Sequence, residues 1–117
     1  MSDFSIYHNP RCSKSRQTLA LLQEHGIEPE IVLYLEQVPS AEQLKELLNK
    51  LGMKPRELLR KGEAAYKERG LADDRFSDSE LIAAMCEAPK LIERPIVVKG
   101  TKAVLGRPPE NVLELLK

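Results

Sequence analysis

The sequence predicts one α/β domain whose four-stranded mixed sheet is assembled as strand–helix–strand, a helical block, then strand–strand–helix. Three observations carry this expectation. Near the start, a short strand-like run containing Ile6 and Tyr7 meets a Pro-containing turn and then leucines at helical spacing. From about Ser40 to Lys90 leucines recur at helical intervals, punctuated by Gly and Pro. Beyond that, PIVV and KAVL flank Lys99-Gly100-Thr101, which reads as a hairpin.

The elements follow in order. Asp3 to His8 is the first strand, and Asn9-Pro10-Arg11 a turn, because Pro disfavours helix before it and offers no amide hydrogen to a sheet. A helix runs from Cys12, with Leu19 and Leu22 three apart and Gly26 as its stop. Glu30 to Leu35 (EIVLYL) is the second strand, expected parallel to the first through a right-handed crossover. Ser40 with Gln43 has capping-box spacing ahead of Leu44, Leu47, Leu48 and Leu51, and Gly52 ends that helix. Pro55 to Arg60 forms a short helix, Gly62 to Gly70 holds another, and Ser77 with Glu80 caps a third that Pro89 closes. Pro95 to Val98 and Lys102 to Leu105 pair as a hairpin; Pro108 and Pro109 introduce a final helix with Val112, Leu113 and Leu116 inward. This is the element order of the thioredoxin-like fold, here residues 1–117 as a single domain with a helical insertion at about 40–90.

Composition narrows the function classes. Hydrophobic residues make up 42% of the 117, enough for one core, but aromatics are only 4%, so the core rests on Leu, Ile, Val and Ala. Lys plus Arg and Asp plus Glu number 18 each, so no net field argues for nucleic acid or an acidic membrane. Neither a secretory signal nor a membrane span is visible between Met1 and Leu19, which makes the cytoplasm the expected compartment. Neutral charge and absent heptads make a monomer the default. Cys12 and Cys86 are too few for a disulfide framework or a zinc site without a His pattern, and are read as free thiols.

Of the two, Cys12 carries the chemistry. Thiols react as thiolates, and a helix N-terminus, with its unpaired amides and positive dipole end, favours that form. Arg11, Lys14 and Arg16 add positive charge, and His8 can contribute if its ring turns towards the sulfur. The amides of Ser13, Lys14 and Ser15 also make the spot an oxyanion cradle. Cys12-Ser13-Lys14-Ser15 is C-x-x-S, so the resolving thiol must come from elsewhere, with glutathione the obvious cytosolic choice. Ser15 can instead hydrogen-bond the Cys12 thiolate. Cys86 lies on the apolar stretch Leu81 to Ala88 without cationic neighbours and reads as packing, or as a resolving thiol if the fold brings it near Cys12. Arg94 and Arg107 each flank a hairpin strand beside a Pro.

The run His8-Asn9-Pro10-Arg11-Cys12-Ser13-Lys14-Ser15-Arg16-Gln17-Thr18-Leu19 resembles the active-site segment of the glutaredoxin-coupled arsenate reductases. The resemblance spans the chain and includes Leu58-Leu59-Arg60, Glu93-Arg94-Pro95-Ile96 and Gly106-Arg107-Pro108. It implies Cys12 as nucleophile, His8 tuning its thiolate, and Arg60, Arg94 and Arg107 holding the oxyanion, with a cis Arg94–Pro95 bond facing the cysteine. Forked guanidinium donors suit a tetrahedral oxyanion. Ser13 and Lys14 stand where members tied to arsenic resistance carry Gly and Thr, adding bulk and charge at the mouth of the site.

The implied reaction needs no metal or bound organic cofactor. Cys12 attacks arsenate, glutathione reduces the adduct as co-substrate, and glutaredoxin restores the thiol. Two other readings share the cysteine. A glutathione-dependent thiol oxidoreductase would not need three arginines. A regulator of the Spx type, which binds RNA polymerase, commonly carries C-x-x-C, and Ser15 counts against it.

Overall fold

The structure is a computed structural model that describes residues 3–116. Its contacts divide the chain into two compact units, one made of the residues up to Gln37 with those from Arg94 onward, the other of Val38–Glu93.

The first unit is built on a four-stranded sheet. β1 (Phe4–Tyr7) leads to α1 (Ser13–Glu24), then β2 (Glu30–Val32), and after the second unit come β3 (Ile96–Lys99) and β4 (Lys102–Leu105). The strand order is β2-β1-β3-β4, with β1 parallel to β2 and antiparallel to β3, and β3 antiparallel to β4. This is the mixed sheet the sequence predicts. Register puts Ile6 opposite Val97, and Val97 opposite Val104. One sheet face thereby presents Phe4, Ile6 and Val97 to Leu22 of α1 and to Val112 and Leu115 of the C-terminal segment, forming the core. Burying an aliphatic side chain of this size stabilises by about 1.5–3 kcal/mol.

Two predicted elements of this unit differ. β2 stops at Val32 because the chain turns there, the amides of Glu36 and Gln37 both donating to the Leu33 carbonyl. It is an edge strand with Ile31 45% exposed, so the apolar run does not mark a buried strand. The C-terminal segment Pro109–Leu116 is a 3-10 helix. Its buried residues are Pro109, Val112 and Leu115, which recur every three positions as a three-residue turn requires, whereas the predicted inner face of Val112, Leu113 and Leu116 assumed the α period.

The second unit is mainly helical: α2 (Ala41–Leu51), α3 (Pro55–Leu58), α4 (Ala64–Glu68), α5 (Asp78–Glu87) and a 3-10 turn at Pro89–Leu91. Both predicted capping boxes form, Ser40 accepting from the Gln43 amide and Ser77 from that of Glu80, with the reciprocal side-chain bonds present. Leu44, Leu58, Leu81, Met85 and Leu91 are fully buried. α3 ends at Leu58 rather than Arg60, because Leu59 pairs with Ile92 in an isolated antiparallel bridge. The Arg60 amide donates to the Leu91 carbonyl at 2.8 Å and the Glu93 amide to that of Leu58 at 2.9 Å. The block is therefore not wholly helical.

Candidate active site

The nucleophile candidate owes its position to the β1–α1 junction. The Cys12 amide donates to the Asn9 carbonyl at 3.0 Å, and the Cys12 carbonyl accepts from the Arg16 amide at 3.0 Å, closing the first helical turn. Cys12 is thus the N-cap of α1, in extended conformation, and its thiol takes no capping bond. A cap of Ser or Asp would have satisfied a first-turn amide itself. Here the amides of Ser13, Lys14 and Ser15 have no acceptor among the described residues, and the thiol is partly exposed. Such a helix start favours an anion. Arg16 Nη1 donates to the Pro10 carbonyl at 2.9 Å and pins the turn.

Two further candidates meet beneath this turn. His8 Nδ1 and Ser15 Oγ share a buried 2.6 Å hydrogen bond, and Ser15 Oγ also accepts from the Asn9 amide at 3.0 Å. Burial first, and the charge of Arg16 second, lower the His8 pKa and favour the neutral ring. With a neutral ring, the arrangement that satisfies all three groups has the Ser15 hydroxyl donating to Nδ1 while accepting from Asn9. Among the described residues neither side chain hydrogen-bonds the Cys12 thiol.

Arg94 and Arg107 come to the same end of the sheet. Tyr7, the last residue of β1, pairs with Ile96, the first of β3, which pairs with Leu105, the last of β4. The β1–α1 turn, Arg94-Pro95 and Gly106-Arg107 therefore leave the sheet side by side. The Gly106 amide donates to the Pro95 carbonyl at 2.9 Å, and Arg107 Nη1 to the Arg94 carbonyl at 3.3 Å. Among the described residues Arg94 Nε is buried without a hydrogen-bond partner. An unpaired buried donor is uncommon in a folded protein. Both Arg94–Pro95 and Arg107–Pro108 are cis; only the first was expected.

Arg60 lies in the helical unit. Its Nη1 donates to Glu63 Oε2 at 3.2 Å and its Nε is ion-paired with Glu93 Oε1 at 3.0 Å, all three side chains being about a quarter exposed. Among the described residues its Nη2 has no hydrogen-bond partner and remains for another acceptor. Glu93 is not legible as a partner from spacing, since its contact depends on the Leu59–Ile92 bridge.

Cys86 has its thiol pKa raised, by burial first and by Glu87 second, which suits a packing residue. Among the described residues no group of three or more His, Cys, Asp or Glu side chains is placed to hold a metal ion. No helix there is long and apolar enough to cross a membrane.

Comparison with known proteins places this geometry. A solved structure of an arsenate reductase from Vibrio cholerae is 56% identical, covers 95% of each chain and superposes with a TM-score of 0.93. The uncharacterized protein YfgD of Escherichia coli K12 is 60% identical over 112 residues, 95% of this chain and 94% of that one. An arsenate reductase of Haemophilus influenzae is 50% identical over 112 residues, 95% and 97% of the two chains. The sequence matches the ArsC family over residues 7–115, and the chain belongs to that family.

Proposed function

We propose that this protein is an oxidoreductase that reduces arsenate to arsenite through a Cys12 thiolate, with glutathione as co-substrate and glutaredoxin as the partner that restores the thiol. One juxtaposition supports this above all. A half-buried cysteine at a helix N-terminus shares one end of the sheet with Arg94 and Arg107. Full-length relatives named as arsenate reductases add weight.

In the proposed reaction the Cys12 sulfur displaces an oxygen from arsenate, forming an S–As(V) bond as water leaves. First-turn amides and the guanidiniums of Arg94 and Arg107 stabilise the charged oxygens, and Arg60 is the third guanidinium the family resemblance assigns. A glutathione thiolate then attacks the Cys12 sulfur. The S–As bonding pair stays on arsenic, As(V) becomes As(III), and Cys12 is left as a mixed disulfide. A glutaredoxin thiol takes the glutathionyl group and frees Cys12. His8 and Ser15 act as a buried pair that fixes the turn under the sulfur.

The test is arsenate-dependent NADPH oxidation coupled through glutathione, glutaredoxin and glutathione reductase. Native protein should consume NADPH only with arsenate present, and Cys12→Ser should abolish it. If native protein consumes none while Cys12 still forms a mixed disulfide with glutathione, the arsenate reading falls and a thiol oxidoreductase of other substrate replaces it.

A further inference from the structure

Thr18 is fully buried, polar, and has no part in the reaction just described. It sits one turn after Ser15 on the inward face of α1, and these two hydroxyls occupy the positions where an amphipathic helix ordinarily buries apolar residues. Its single O–H is shared between the Lys14 carbonyl at 2.8 Å and, across the unit, the Gly106 carbonyl at 3.3 Å. The bond to Lys14 is ordinary helix back-bonding. The second joins the nucleophile's helix to the residue that precedes Arg107.

Gly106 is equally constrained. A Cβ there would stand 2.7 Å from Thr18 Oγ1, 2.8 Å from Pro95 Cγ and 3.0 Å from Thr18 Cγ2. Backbone, hydroxyl and proline ring meet with no room for a methyl group. Three segments are thereby held in register: α1 through Thr18, the Arg94-Pro95 turn through the Gly106 amide, and Arg107 through its neighbour. Ser15 pins α1 to the β1 side and Thr18 pins it to the β4 side.

We propose that Thr18 and Gly106 are positioning residues that set the placement of the Cys12 thiol relative to the guanidiniums of Arg94 and Arg107. This rests on the reading of Cys12, Arg94 and Arg107 as an oxyanion-reducing site. Neither residue touches substrate; each acts through the segment it fixes. Misplacing reacting groups by about 1 Å can lower a rate by about a hundredfold.

The experiment uses the full chain and three readouts: kcat/KM for arsenate, the arsenate concentration that half-protects Cys12 from iodoacetamide, and the alkylation rate without arsenate. Thr18→Val keeps the shape and removes the hydroxyl. It should lower kcat/KM by about tenfold and raise the half-protecting concentration, with alkylation in the absence of arsenate within about twofold of native. Thr18→Ser, which keeps the hydroxyl, should recover most of the loss. Gly106→Ala should lose more than Thr18→Val. If Thr18→Val fails to fold, Thr18→Ala compared with Thr18→Ser isolates the hydroxyl. A lower thermal midpoint with unchanged kcat/KM and unchanged protection would show a packing role only and overturn the proposal. Native protein whose Cys12 arsenate does not protect would instead refute the oxyanion reading, and the proposal with it.

Discussion

Ser15→Ala tests the buried pair beneath the Cys12 turn. Ser15 is fully buried, and its single oxygen serves His8 Nδ1 at 2.6 Å and the Asn9 amide at 3.0 Å. Alanine removes that oxygen and leaves both groups in place. An unsatisfied buried donor or acceptor costs about 1–3 kcal/mol. His8 is buried, whereas Asn9 is half-buried and recovers part of its loss from water. The sum is about 2 kcal/mol, a large share of the about 5–15 kcal/mol that holds a domain folded. For a chain of this size that lowers the thermal midpoint by about 8 °C. Urea denaturation at pH 7.5 under reducing conditions reads the free energy directly, and the slope with denaturant should be unchanged. A loss below about 0.5 kcal/mol would mean that the His8–Ser15–Asn9 network does not hold the turn, and the reasoning would fail.

Two other predictions concern titration and reactivity. The folded state holds His8 below its ordinary pKa, so between that lowered value and about 6.5 the unfolded chain binds more protons. The stability from a neutral His8 is therefore present above about pH 6.5 and is lost as pH falls through the window beneath it, with a slope of at most about 1.4 kcal/mol per pH unit. Urea midpoints from pH 7.5 to 5.5 should fall more steeply in native protein than in His8→Gln; parallel profiles would remove His8 from the account. Cys86, its thiol raised by burial and by Glu87, should alkylate slowly at neutral pH, so one fast-labelling cysteine is expected and Cys12→Ser should remove it. Mass spectrometry placing the fast label on Cys86 would reverse the assignment of the two thiols.

What could be read in the sequence was what local chemistry decides. Pro10, Gly26, Gly52 and Gly100 punctuate the chain where a turn or a positive φ is needed, and the Ser40 and Ser77 capping boxes start their helices as spaced. The features that escaped depend on segments distant along the chain. Leu59 and Ile92 give no strand pattern in their own neighbourhoods, yet their bridge ends α3 and brings Glu93 to Arg60. β2 is cut short because Leu33 starts a turn, and composition does not distinguish an apolar edge strand from a buried one.

The site shows the same division. Cys12 was legible because N-cap position, basic neighbours and a preceding Pro are local facts. Arg94 and Arg107 come to the same end of the sheet through the register of β1, β3 and β4, which no single segment encodes. α1 is the instructive case. Leucine spacing over Leu19–Leu22 identifies the helix, but its inward face in the first two turns is Ser15 and Thr18, and Leu22 reaches the core only afterwards. An apolar stripe would have packed equally well and left the helix free to slide or rotate by small amounts, since dispersion is non-directional. Two hydroxyls bonded to opposite neighbours remove that freedom at the end that carries Cys12. A helix whose amphipathic pattern lapses for two turns beside a reactive side chain is a place where orientation, rather than burial, dictates the residues. Leucine spacing identifies the helix only from Leu19 onward; which residues face inward before it emerged from their partners.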